Sequence, residues 1–121
     1  MVLLDTNAVL RYLLQDNEEQ ADAVNRMLSA EICLVTLEVA VEIVYVLHKV
    51  YKIDRRTIAE AFEKLMEIEA GLIEKQEVAL HAIRIFADTR LDMIDCVLVA
   101  YAKIEGYSVL TFDKALKRQL M

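Results

Sequence analysis

Apolar residues follow two rhythms along this chain: short, nearly continuous runs, and longer stretches in which they return every third or fourth position. The short runs are Val2–Leu4, Ile32–Val35, Leu72–Glu74 and Tyr107–Leu110, and each predicts a brief buried strand. The longer rhythm begins at Asn7–Leu14, with Val9, Leu10, Leu13 and Leu14 on one helical face. It resumes with Ala21, Val24, Met27 and Leu28, where Asp16 followed by Glu19 reads as a capping box. Thr36 is placed to cap a long helix reaching about Tyr51. Asp54 is placed to cap another, with Ile58, Ala61, Phe62 and Leu65 facing inward. Val78–Ala87 is helical, Asp92 opens a helix carrying Met93, Ile94, Val97, Leu98 and Tyr101, and Gly106 stops it. A terminal helix follows Asp113.

Strands that alternate with helices and are almost wholly apolar predict a parallel sheet covered on both faces. The expected fold is therefore a three-layer α/β/α sandwich around a short central parallel sheet of four strands, or five. In such sheets ligands bind beyond the carboxyl ends of the strands. Asp5 directly follows the first strand and Asp113 follows the last by two residues, so both fall on that rim. Glu42 lies about two turns into the helix after the second strand. Asp92 and Asp95 occupy the first turn of the helix before the last strand.

Each acid has a plainer reading. Asp5, Thr6 and Asn7 suit the start of a helix, as do Asp92, Asp95 and Asp113, where a negative charge also complements the helix dipole. Glu42 is different, because Val39–Leu47 is otherwise apolar and carboxylates are rarely buried without a partner. A solvated position is its lesser reading. Two carboxylates about 5 Å apart, at an effective dielectric near 20, repel by about 3 kcal/mol. Several gathered together would therefore protonate or splay unless a cation joined them. An all-oxygen ligand set favours Mg²⁺ or Mn²⁺ over zinc.

Composition narrows the possibilities. The 121 residues are 57% hydrophobic, which excludes disorder and predicts one domain spanning 1–121. Proline is absent and glycine occurs twice, so loops should be short. Glu38 and Glu42 interrupt the apolar stretch Ile32–His48, and the longest unbroken apolar run, Cys96–Ala102, is too short to cross a bilayer. No membrane association is expected, and a start of Met-Val-Leu-Leu-Asp without a basic region predicts a cytoplasmic protein. Cys33 and Cys96 lack metal or redox spacing and read as reduced core residues. Twenty acids against fourteen bases give a formal charge of −6, which argues against binding nucleic acid by bulk charge. It leaves open a protein that reaches phosphates through metal ions.

Four segments together resemble a known family: Leu3–Leu14 (LLDTNAVLRYLL), Val41–Leu47 (VEIVYVL), Asp92–Ala102 (DMIDCVLVAYA) and Val109–Asp113 (VLTFD). In this order they resemble the PIN domain, specifically the stand-alone VapC-like ribonucleases that act as toxins of type II toxin–antitoxin pairs. The resemblance implies that Asp5, Glu42, Asp95 and Asp113 form an acidic quartet holding one or two Mg²⁺ or Mn²⁺ ions, with Asp92 as an additional acid. It implies hydrogen bonds from Thr6, Asn7 and Thr111 that orient the carboxylates. It also implies hydrolysis of RNA phosphodiester bonds by metal-activated water, leaving a 5′-phosphate and a 3′-hydroxyl, a small antitoxin protein as partner, and a homodimer. Two departures stand out. Cys96 occupies a position where the family often has alanine, and many relatives continue into a last edge strand where this sequence reaches Met121.

Other functions fit less well. His48 lies six residues beyond Glu42, about 600° around a helix, and His81 is far from every motif, so metal-free acid–base cleavage by histidine is not expected. Arg11, Lys114, Lys117 and Arg118 read as solvated helix positions, with phosphate contact as their second reading. A receiver domain would need a lysine after the last strand, and a haloacid-dehalogenase-like phosphatase would need an aspartate where Asn7 stands. The remaining alternatives keep the fold: an inactive PIN-fold binding module, or a PIN nuclease in RNA processing or DNA repair.

Overall fold

A computed structural model describes all 121 residues. The chain runs β1 (Val2–Leu3), α1 (Thr6–Leu14), α2 (Glu18–Ala30), β2 (Cys33–Leu34), α3 (Leu37–Tyr45), α4 (Arg55–Ile68), α5 (Gln76–Asp88), α6 (Met93–Glu105) and α7 (Lys114–Leu120). Helix starts follow the expected caps at α1, α3 and α4, where Asp5, Thr36 and Asp54 accept from the amides of Ala8, Val39 and Thr57. At α2 the cap is Asn17, which accepts from Gln20, and not Asp16. Arg11 explains the shift: its guanidinium takes both Asp16 oxygens at 2.7 and 2.8 Å, leaving the next residue to cap. Arg11 is thus tied to Asp16 and to the Tyr51 hydroxyl and is not the solvated position that its spacing suggested. Its Nε is buried without a partner.

The α/β class holds, but the sheet is much smaller than expected. β1 and β2 pair in parallel, Val2 with Cys33 and Leu3 with Leu34, and they form the whole sheet. The third expected strand, Leu72–Glu74, is reduced to one parallel bridge between Ile73 and Val35. It is pinned between Gly71 and Lys75, both at positive φ (85° and 52°), which leaves room for one paired residue. The fourth, Tyr107–Leu110, makes no backbone–backbone hydrogen bond and is not a strand. Val2 and Leu4 both donate toward β2, so Leu3, between them, turns its backbone groups to the outer edge. A two-residue β1 therefore offers a fourth strand too little ladder. The Asp113 amide bonds instead to the Thr111 hydroxyl in a local turn, and Leu110 and Phe112 stand 88% and 87% exposed.

What the sheet lacks, the helices supply. One contiguous core collects Val9, Val35, Ile43, Val44, Ile58, Phe62, Ile83, Cys96 and Val99, with no charged or polar side chain among the buried residues. α5 packs chiefly on α6 and α4, α1 on α2 and α3, and α6 also meets α3 and α7. The apolar stripes of α4 and α5 face each other, which gives the spacing of Ile58, Phe62 and Leu65 its purpose. α3 does not run on as a regular helix to Tyr51. Its last turn, Val46–Val50, is π-helical, with Tyr51 donating to Val46 five residues back. No helix is long and apolar enough to cross a membrane.

Since the Phe62 ring is fully buried among these helices, Phe62→Ala should lower unfolding free energy by about 3–5 kcal/mol in urea titration followed by circular dichroism.

Candidate active site

Three of the five acids meet at one cleft. Asp92, Asp95 and Asp113 line a hollow of about 510 Å³ whose other walls include Thr89, Arg90 and Arg118. The first two acids stand there because α6 begins at Met93, making Asp92 its N-cap residue and Asp95 part of its first turn. Asp113 joins them because α7, which it caps, packs against α6. Thr111 fixes the backbone entering Asp113 by accepting from its amide at 3.1 Å.

Asp92 bears most directly on whether these acids are simply caps. It occupies the N-cap position with the right backbone conformation, yet its side chain makes no capping hydrogen bond. Asp5 and Asp113 do cap, each through Oδ1, to Ala8 at 2.8 Å and to Leu116 at 2.9 Å, so each has its second oxygen outside the cap. Thr6 and Asn7 make no side-chain hydrogen bond.

A second cleft, of about 420 Å³, adjoins the first through Asp92, which lines both. Glu42 lines this second cleft together with Glu38, Tyr45, His48, Arg55 and Phe86. Glu42 is exposed, contrary to the reading that set it in an apolar helix interior. Glu38, Glu42, Tyr45 and Lys49 form an exposed stripe at intervals of three and four, the solvent-facing side of α3 and its π-turn. Asp5 lies outside both clefts. The structure thus gathers Asp92, Asp95 and Asp113, sets Glu42 across Asp92 from them, and leaves Asp5 apart at the head of α1.

His48 is a residue that helical spacing placed on a different face from Glu42, yet it shares the cleft. Its ring meets Phe86 edge-on at 5.5 Å. Burial, followed by the nearby Arg55, holds the imidazole below its ordinary pKa, so it is neutral at neutral pH. Arg118 is the terminal-helix base that reaches the acid cleft. Arg55 had no signal in the sequence, because its interactions are with backbone carbonyls far along the chain.

The electrostatics are those of acids short of counter-charge. Burial, then Asp92 and Asp113, raise the Asp95 carboxyl above the ordinary carboxylate value. Beside it, the Cys96 thiol is buried and pushed up to about 11, so it is an inert packing group and not a nucleophile. No three acidic, histidine or cysteine side chains stand close enough to enclose a metal ion as they are arranged. The donor chemistry nonetheless fits a hard divalent cation. All the candidate donors are carboxylate oxygens, Asp92 has an uncommitted carboxylate, and Asp95 is strained by charges that a cation would offset.

Comparison with known proteins gives the chain a family. The PIN domain family profile matches residues 2–119. A protein of Aquifex aeolicus (strain VF5) named VapC ribonuclease is 28% identical over 124 aligned residues, covering 98% of this chain and 91% of that protein. No solved structure matches the chain.

Asp95 loses its proton at a higher pH in the folded chain than in the unfolded one. It therefore favours the folded state below the unfolded-state pKa, and this contribution is lost as pH rises through the folded-state value. Asp95→Asn should raise the thermal midpoint at pH 7 in metal-free buffer, and calorimetry should show the gain vanishing below about pH 4, near the reference pKa of an aspartate.

Proposed function

The chain belongs to the PIN domain family, and from that premise we propose that it is a divalent-metal-dependent ribonuclease, a single nuclease domain over residues 1–121. The observation that carries the reading is the gathering of Asp92, Asp95 and Asp113 around one cleft, where burial and then the two acidic neighbours raise the Asp95 pKa. A ribonuclease named VapC, aligned over nearly the whole length of both chains, supports RNA as the substrate.

Asp5, Glu42, Asp95 and Asp113, with Asp92 beside them, are the residues that would hold Mg²⁺ or Mn²⁺, one ion or two. Bound there, the cation supplies Lewis acidity that activates water and offsets charge on the phosphate undergoing hydrolysis. The protein supplies the rest. α6, packed against α5, presents Asp92 from its N-cap and Asp95 from its first turn. Thr111 and the α7 cap set the approach of Asp113. Arg118 stands at the cleft as a cation for a phosphate oxygen. No side-chain nucleophile is needed, and His48, its pKa lowered by burial and by Arg55, does not serve as an imidazolium acid at pH 7.

An acidic chain that would meet RNA phosphates through bound metal ions suits the toxin of a toxin–antitoxin pair, acting in the cytoplasm as a homodimer. Its partner would be a small antitoxin protein that shields the acid cleft.

Purified protein incubated with labelled RNA should cut it in Mn²⁺ or Mg²⁺ and stop in EDTA. Asp5→Asn and Asp95→Asn should each lose more than the roughly 10–100-fold typical of outer-shell partners. Cleavage persisting in EDTA, or undiminished in both variants, sinks the metal mechanism. A protein that cuts no nucleic acid is a binding module.

A further inference from the structure

The geometry points to Arg55 as a positioning residue that holds Asp92 and Asp95 in place through the backbone of the α5–α6 connection. This inference rests on the metal-site reading above. Arg55 is the first residue of α4, and its backbone is fixed there by the Asp54 cap, which binds both the amide and the hydroxyl of Thr57. From that anchored point the guanidinium crosses to the end of α5. Nη1 donates to the carbonyls of Phe86 at 3.0 Å and Leu91 at 2.8 Å, and Nη2 donates to Arg90 at 3.2 Å. The guanidinium carbon also sits 4.1 Å from the centre of the Phe86 ring, whose edge-on contact with His48 ties it to the π-turn.

These three carbonyls span the last turn of α5 and the two residues immediately before Asp92. Within the connection, Thr89 bonds back to Ile85 and receives the Leu91 amide, so the link between helices is short and mainly self-bonded. Besides the Cys96 thiol of α6, which donates weakly to the Leu91 carbonyl at 3.9 Å, only Arg55 ties it to another element by side-chain hydrogen bonds below the surface. The nearby Arg56–Asp88 pair is fully at the surface and is of little consequence for position. A planar fork with several donors suits three carbonyls at once, whereas an ammonium on a flexible stem does not. Arg55 lines the cleft that holds Glu42 and Asp92, so its charge alone would repel a metal ion. Removing it therefore has opposite effects under the two explanations: lost positioning weakens metal binding, and relieved repulsion strengthens it.

The test compares Arg55→Met and Arg55→Lys with Arg56→Ala as a surface control. Calorimetric titration with Mn²⁺ should show affinity falling about 10–100-fold in Arg55→Met, the range for outer-shell residues at metal sites. Arg55→Lys should recover part of the loss, and Arg56→Ala should match the parent. On RNA, kcat should fall with Mn²⁺ affinity while KM stays within about twofold. Hydrogen exchange should quicken at the Leu91 and Cys96 amides and remain unchanged in α2. Unchanged exchange at Leu91, or unchanged or tighter Mn²⁺ binding, overturns the inference whatever the activity. If Arg55→Met fails to fold, Arg55→Lys and Phe86→Leu carry the same readouts. A parent protein that binds Mn²⁺ without cutting RNA defeats the ribonuclease reading and leaves the clamp standing. A parent that binds no Mn²⁺ defeats both.

Discussion

Negative charge crowded where α6 begins, with only Arg90 and Arg118 at the cleft wall to set against it, is the constraint around which the rest of this molecule is arranged. Helix N-termini tolerate one acid well, and the dipole rewards it. Here the same end carries Asp92 and Asp95, and α7 brings Asp113 to face them. The structure bears that repulsion through rigidity, because α6 lies against α5 and α3 with Cys96, Val99 and Ala100 fully buried. A helix held so firmly by apolar contact cannot turn its acids away to relax.

The same packing explains how a sheet of two short strands suffices. In a doubly wound protein the sheet sets the spacing of the helices, but here the interior is filled mainly by helix-to-helix contact among α3, α4, α5 and α6. β1 and β2 serve chiefly to deliver Asp5 and Thr36 to the heads of α1 and α3. The apolar runs at Leu72–Glu74 and Tyr107–Leu110 have strand-like composition without the ladder partners that would make them strands.

Helices and the caps at Asp5, Thr36, Asp54 and Asp113 were therefore legible in the sequence, because periodicity and a capping side chain are local signals, whereas Asp16 was taken from its cap by Arg11 and Asp92 makes no capping bond. Sheet size was not, because pairing depends on the length of a distant partner. Among the acids, adjacency in sequence placed Asp92 and Asp95 correctly at one helix start, and an α/β rim argument brought Asp113 toward them. The exposure of Glu42 was missed because Val39 and Val41 beside it hid the stripe formed with Glu38 and Tyr45. His48 shares a cleft with Glu42 despite their angular separation because that cleft is wide, taking in Val41 and Val44 from the face that His48 occupies. Arg55 was invisible because carbonyl acceptors carry no residue identity.

The residues lining the acid cleft all come from one unbroken stretch, Asp88 to Gln119. Contacts close in sequence close quickly, since little loop-closure entropy opposes them, whereas bringing Glu42 and Asp5 alongside requires chain segments more than forty residues away to dock. The cleft thus depends on contacts within one segment, whereas a site that also drew in Glu42 and Asp5 would depend on long-range docking.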